Sequence, residues 1–378
     1  LRLSWGENGN REIGAYSALA QIGSVKYYTG SAIQTGVYNT TLANSKLRWE
    51  RTESYNIGLD MGLYKNRVDL SVDVYDATTT DLLLNRQLPR ITGFQTIMSN
   101  LGRLGNRGID VTINTVNLNR PNFTWNSSLV FSMNKNKIKE LWGDYGNFKL
   151  LNKEQYGELP DFRNRWFPGE ALDVVWNYDR QGIWQVDEVE EAAKYKLEPG
   201  DYKVDDVNGD YALTNFEDKK FIGYTEPRTR WGFTNDFTFM KNFTASIFIR
   251  ADLGHLRVMP VTNDKSTHDR RNDWNWGYWS PENPDSEFAK IDYPDNLSRY
   301  GDGLQVYKPT GFVRVQDVNL SYNVPVTGLL KHLTVQSLRA YVSGRNVMTF
   351  TKWPGFDPET GATTPMPRTF TFGVDLTL

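Results

Sequence analysis

Oxygen-bearing side chains recur at a regular spacing in the part of the chain that contains the string DDVNGD, at 205–210. They fall at positions one, three, five and twelve of a calcium loop of the EF-hand type, and carboxylate and amide oxygens suit calcium. The four candidate metal ligands are Asp206, Asn208, Asp210 and Glu217. Position six of such a loop needs a sharp turn that glycine makes best, but Tyr211 stands there. An acidic surface turn that binds no metal is therefore the alternative interpretation.

The densest aromatic cluster of the chain follows two arginines. Its members are Arg270, Arg271, Asp273, Trp274, Trp276, Tyr278 and Trp279. Aromatic faces stack on flat or ring-shaped ligands, so we expect this segment to contact a ligand first. Loop packing and an aromatic belt at a membrane surface are the structural alternatives. The same alternatives are favoured for a second group, which comprises Trp166, Phe167, Trp176, Tyr178 and Trp184.

Enzymatic chemistry has little support in the sequence. The three histidines, His255, His268 and His332, are far apart, and the chain has no cysteine. No GxSxG, HExxH or glycine-rich phosphate loop occurs, so we predict no catalytic residues, no required cofactor and no enzyme. The 43 Lys and Arg residues nearly balance the 45 Asp and Glu residues, which leaves no basic field for nucleic acid.

Two-residue periodicity is the dominant pattern of the chain. Apolar residues alternate with polar residues or glycine in Tyr55–Leu63, Val68–Val74 and Ile109–Asn114. Further copies run through 123–133, 233–239, 243–249, 312–322, 338–344 and 370–378. The pattern predicts roughly a dozen strands and an all-β fold.

A transmembrane β-barrel and a soluble β-sandwich both fit this alternation. The runs Phe123–Met133 and Phe312–Tyr322 have the ~9–11 residues that cross a bilayer obliquely, which favours the barrel. A mean hydropathy of −0.57 is compatible with it, because only one face of each strand meets lipid.

Connection lengths alternate along the chain. Lys65–Asn66 and Met240–Asn242 are tight turns, whereas 77–107, 135–228, 255–310 and 346–368 are long connections. Outer-membrane barrels have short periplasmic turns and long extracellular loops, so we predict that arrangement here. The chain opens directly on the alternating run Leu1–Trp5, and we expect it to be a segment of a longer protein.

Five segments of the sequence resemble one family of transporters. They are Leu47–Leu63 (LRWERTESYNIGLDMGL), Leu88–Asp110 (LPRITGFQTIMSNLGRLGNRGID), Asp205–Asp210 (DDVNGD), Tyr341–Pro358 (YVSGRNVMTFTKWPGFDP) and Pro367–Leu378 (PRTFTFGVDLTL). Together they resemble the SusC/RagA-like TonB-dependent outer-membrane transporters of Bacteroidetes. The chain departs from that family at Tyr211, where a glycine is usual, and at Leu378, where an aromatic residue is frequent.

The resemblance implies that residues 1–378 are the C-terminal portion, roughly half, of a plugged transmembrane antiparallel β-barrel of about 22 strands. It also implies active import of oligosaccharides or peptides across the outer membrane. The expected partners are a SusD-like lipoprotein lid, TonB through an N-terminal part absent from this chain, and the N-terminal barrel and plug segment. Two alternatives remain: a passive porin or surface adhesin barrel, and a soluble glycan-binding β-protein. We expect the 270–279 segment to contact the ligand or the lid.

Overall fold

The computed structural model describes residues 1–10, 16, 18–214, 216–259, 277–290, 300, 304–327, 334–361 and 364–378. In this part of the chain the strands are β1 (Arg2–Asn10), β2 (Ile22–Tyr28), β3 (Ile33–Asn39), β4 (Glu50–Leu63), β5 (Val68–Thr80), β6 (Leu83–Gln87), β7 (Thr96–Asn100), β8 (Arg103–Arg120), β9 (Phe123–Glu140), β10 (Tyr145–Leu150), β11 (Lys153–Glu158), β12 (Val174–Tyr178), β13 (Arg180–Ile183), β14 (Tyr202–Val204), β15 (Lys219–Tyr224), β16 (Thr229–Phe239), β17 (Phe243–Leu253), β18 (Leu256–Val258), β19 (Tyr307–Pro309), β20 (Phe312–Val324), β21 (Ser337–Thr351) and β22 (Thr369–Thr377). One α-helix, α1 (Val189–Lys194), and two 3-10 helices, Arg90–Thr92 and Val186–Glu188, complete the elements. None of the helices described has the length and apolar character that crossing a membrane requires.

Ten of the described strands form one antiparallel sheet in the order β1-β4-β5-β8-β9-β16-β17-β20-β21-β22. Each strand pairs with the next one in the chain that belongs to this sheet, so the topology is a meander. The sheet is open, and β1 and β22 are its edge strands. The all-β fold predicted from the alternation is confirmed, and so is the antiparallel arrangement that the family resemblance implies.

The register of this wall separates an apolar face from a polar face. One row of directly paired residues across eight strands consists of Leu59, Val72, Val111, Phe131, Trp231, Ala251, Val313 and Phe350. The row one residue further along is Asp60, Ser71, Thr112, Val130, Gly232, Arg250, Arg314 and Thr349. Successive side chains of a strand point to opposite faces, so the first row lies on one side of the sheet and the second row on the other.

The apolar face of the wall has no protein layer against it. Its side chains are among the most exposed large apolar groups of the chain, with Phe372 80% and Phe370 61% exposed. Most of the buried apolar side chains instead belong to the loops, between Leu141 and Trp353. A soluble sandwich buries the apolar face of its sheets, whereas a barrel presents it to lipid. We therefore call the apolar face outward and the polar face inward.

Short and long connections alternate at the two rims of the wall. The short rim holds 64–67, 121–122, 240–242 and 325–336. The long rim holds 11–49, 81–102, 141–228, 254–311 and 352–368. The alternation was predicted, but the connection 11–49 was missed. Strands also run further than predicted on the long rim, where β9 reaches Glu140, because the outward side chains there become polar and the hydropathy signal ends.

Two inward tyrosines lie across glycines of the neighbouring strand. Tyr75 is paired with Gly108 and Tyr341 with Gly373. A Cβ atom at either glycine would lie 2.3 Å from the tyrosine ring. Each tyrosine therefore requires glycine opposite it, a device that fixes strand register.

The long loops carry hydrophobic cores of their own. The larger one, which we call the loop core, includes Tyr178, Trp184, Trp279 and Tyr300. A smaller cluster is built on Phe167 and Trp176. The second aromatic group therefore packs loops, as favoured. The helix α1 contributes to the loop core through Ala192, which is fully buried there.

Replacing Val111 with arginine tests which face meets lipid. We expect Val111→Arg to destabilise the protein folded in a bilayer by about 2–4 kcal/mol, because an outward cation enters hydrocarbon. Thr112→Arg, one residue along on the inward face, is the matched control and should change it by less than about 1 kcal/mol. Urea titration of the full-length protein in lipid vesicles measures both. Equal losses would contradict the assignment of the faces.

Candidate functional site

The inward face of β9, β16 and β17 forms a groove that polar groups line together with the apolar side chains of Val130 and Phe248. Its volume is about 310 Å³, and hydroxyl groups of Ser128, Ser132 and Thr234 line it. Two cations of the groove lie near one carboxylate, that of Asp252. Arg230 Nε is 4.0 Å from it and Arg250 Nη1 is 3.7 Å from it. A groove with both donors and acceptors suits ligands that carry hydroxyl or amide groups.

Arg314, on β20, is the fully buried centre of a charge network on the same face. Its Nη2 donates to Asp357 Oδ2 at 2.5 Å and its Nη1 donates to Glu359 Oε2 at 2.5 Å. Its Nε donates to Thr349 Oγ1 at 3.0 Å, and the Glu359 carboxylate also accepts from Arg250. A buried guanidinium costs free energy unless it is paired in this way. The network therefore fixes three strands, β17, β20 and β21, and one loop together.

The loop that supplies these acids is 352–368. It is also held through its backbone carbonyls, since Thr310 Oγ1 donates to the Pro358 carbonyl at 2.8 Å and Arg257 Nη1 donates to the Glu359 carbonyl at 2.8 Å. Its described part is consequently anchored to the inward wall.

A second ion pair, which is partly buried, holds the 141–228 loop at the top of β16. Arg228 Nη2 donates to Asp173 Oδ2 at 2.5 Å, and the guanidinium lies 3.6 Å from the centre of the Tyr224 ring. Burial alone would raise the pKa of Asp173, but hydrogen bonds from Arg228, Asn136 and the backbone N–H of Glu226 outweigh it and hold that pKa below its ordinary value.

The structure brings the four predicted calcium ligands together in one turn. Asn208 Nδ2 donates to Asp210 Oδ2 at 2.9 Å and to Glu217 Oε2 at 3.2 Å. Both Asp206 oxygens accept backbone N–H groups, from Gly209 at 2.7 Å and from Tyr211 at 3.0 Å. The φ angle of Tyr211 is 62°, the left-handed conformation that the glycine of such a loop would adopt without strain.

Two groups beside this turn were missed by the sequence reasoning. Asp218 is fully buried and accepts the backbone N–H groups of Val207 and Thr214, and burial raises its pKa. Burial and the neighbouring Asp206 raise the pKa of Tyr195 to about 12. Among the described residues, no group of three or more His, Cys, Asp or Glu side chains is arranged to hold a metal ion. The calcium site stays a prediction.

The aromatic cluster predicted to contact a ligand is only partly described. Arg270, Arg271, Asp273, Trp274 and Trp276 lie outside the described residues. Trp279 is 8% exposed in the loop core, where its Nε1 donates to Gln185 Oε1 at 3.1 Å. Tyr278, beside it, is partly exposed. Trp279 therefore has a packing role, and ligand contact by the cluster stays a prediction.

Removing the Arg314 guanidinium tests the charge network. Arg314→Gln leaves two acids near the inward wall without their buried cation, so we expect a loss of about 3–5 kcal/mol in local stability. Hydrogen–deuterium exchange of 352–361 in the full-length protein measures it. The control is Arg339→Gln, on the same face of β21, where the side chain is exposed and the expected change is below about 1 kcal/mol. Unchanged exchange in Arg314→Gln would contradict the anchoring role.

Comparison with known proteins agrees with this architecture. The chain is 32% identical over 369 residues to the TonB-dependent receptor P3 of Formosa agariphila, covering 95% of this chain and 35% of the relative. It is 27% identical over 395 residues to SusC of Bacteroides thetaiotaomicron, covering 100% of this chain and 37% of the relative. It thus spans little more than a third of the length of these relatives.

The fold also matches solved structures. The structure of the RagAB peptide transporter superposes with a TM-score of 0.73 at 22% identity, covering 99% of this chain and 40% of that chain. The family model described as TonB dependent receptor-like, beta-barrel matches residues 1–251. With the outward apolar face, the inward polar face and the alternating rims, this match shows that the chain belongs to the TonB-dependent receptor-like β-barrel family of the outer membrane.

Proposed function

We propose that the full-length protein imports oligosaccharides or peptides across the outer membrane by TonB-dependent active transport, together with a SusD-like surface lipoprotein. The observation that carries the proposal is the wall itself, with an apolar outward face, a polar inward face and long folded loops at one rim only. Family membership supports it. No catalytic step on the cargo is part of the proposal.

The loops support selective import rather than free passage. The loops are folded and held in place, because the loop core, the Arg314 network and the Arg228–Asp173 pair each fix a different segment. The groove on the inward face offers donors and acceptors as well as apolar surface, which suit either cargo class. The matched relatives are longer than this chain, and in our proposal a plug and a TonB-contacting segment occupy part of that additional length.

Energy dependence separates active import from a passive porin. Cells of the native host that express the full-length protein should accumulate a fluorescent oligosaccharide or peptide cargo, and cells that lack TonB should not. The matched control is a strain that lacks the transporter gene but keeps TonB. Uptake that continues without TonB would contradict active import and would favour the passive alternative.

Two tryptophans of the aromatic cluster should differ in their effects. We expect Trp274→Ala to weaken the binding of cargo or lid by roughly tenfold, because an aromatic contact worth ~1–2 kcal/mol is lost. The loops should stay folded in this variant. Trp279→Ala should instead destabilise the loop core by about 3–5 kcal/mol, because a buried ring is removed. Binding titration and limited proteolysis of each full-length variant separate these outcomes. Unchanged binding in Trp274→Ala would remove that residue from the contact surface.

A further inference from the structure

A cationic strip runs up the outward face of the wall, directly above its apolar band. On β9 the outward residues Phe131 and Met133 are followed, at the same two-residue spacing, by Lys135, Lys137 and Lys139. All three lysines are exposed. Since side chains two residues apart share a face, the strip points away from the transport path and toward the surrounding membrane.

The strip includes a cross-strand pair of like charges. Arg107 of β8 is directly opposite Lys135, immediately above the apolar pair of Ile109 and Met133. Like charges in directly opposed positions destabilise a sheet. The Arg107 guanidinium donates to one carboxylate, Asp76 Oδ2 at 2.7 Å, whereas no described acid forms an ion pair with Lys135. An external anion at this height would offset the repulsion.

These cations line a cavity of about 780 Å³. Five of its lining residues are basic and one is acidic. They are Arg107, Lys135, Lys137, Lys139, Arg228 and Glu170. The first basic residues of this lining, Arg107 and Lys135, lie roughly 7 Å above the last outward apolar pair, Ile109 and Met133, because two residues of a strand separate the pairs. That is the depth of lipid headgroups beside a barrel.

An apolar cavity of about 630 Å³ adjoins the basic one, and Tyr224 lines both. Leu253, Val313 and Phe350, which belong to the outward face of the wall, line the apolar cavity. An amphiphile with an anionic head and hydrocarbon chains would place each part against the matching surface. We propose that this outward rim binds a phosphorylated lipid of the outer leaflet, a role separate from cargo import.

Lipid retention by the full-length protein tests the proposal. The protein is incorporated in phosphatidylcholine nanodiscs that contain lipid A or lipid A stripped of its phosphates, and bound lipid is measured by native mass spectrometry. We expect the wild type to retain the phosphorylated form. The variant Lys135→Gln with Lys137→Gln and Lys139→Gln should lose it by roughly tenfold or more, because each basic group near an anionic surface contributes about fivefold.

The matched control removes three exposed loop lysines, as Lys26→Gln with Lys153→Gln and Lys196→Gln, and should retain the lipid as the wild type does. Heat-dependent electrophoretic mobility checks that each barrel is folded, and Lys137→Gln alone replaces the triple variant if that variant fails to fold. Equal retention by the strip variant and the wild type, or equal retention of dephosphorylated lipid, would overturn the proposal. Displacement of the lipid by millimolar inorganic phosphate would also overturn it, in favour of a soluble-anion site.

Discussion

Backbone hydrogen bonding in hydrocarbon is the constraint on which the rest of the structure depends. Lipid offers no donors or acceptors, so each backbone N–H and C=O group in a bilayer needs a partner within the protein. The ten-stranded meander supplies these partners through continuous antiparallel pairing from β1 to β22. Pairing of this kind aligns side chains in rows, and the rows place apolar groups outward and polar groups inward. The two faces of the wall are therefore a consequence of this continuous strand pairing.

Stability in this chain is divided between two environments. The wall depends on its backbone ladder and on lipid contact, whereas the loops depend on cores that resemble those of soluble proteins. The Arg314 network joins the two, since its cation belongs to β20 and its acids to the 352–368 loop. In our proposals, loops that are fixed to the wall at such points select cargo, while the membrane-facing side binds lipid independently.

Much of the wall could be predicted from the sequence, because a barrel strand shows its two faces as alternating hydropathy. The strand at Val68–Val74 and the turn at Lys65–Asn66 were found in this way. The upper part of β9 was missed, since both of its faces are polar above the lipid. The Arg314–Glu359 contact was also missed, because it joins residues 45 apart through tertiary packing that no local pattern records.

The alternating faces of the wall meet lipid on the outward side and water on the inward side. The chain has no cysteine, so single cysteines can be introduced from Ile109 to Asn114 and spin-labelled in a full-length protein that contains no other cysteine. Labels at 109, 111 and 113 should collide mainly with oxygen, which is enriched in lipid, and labels at 110, 112 and 114 mainly with a water-soluble nickel chelate. Absence of this alternation, or apolar positions that are closed to both reagents as in a sandwich core, would contradict this assignment of the two faces.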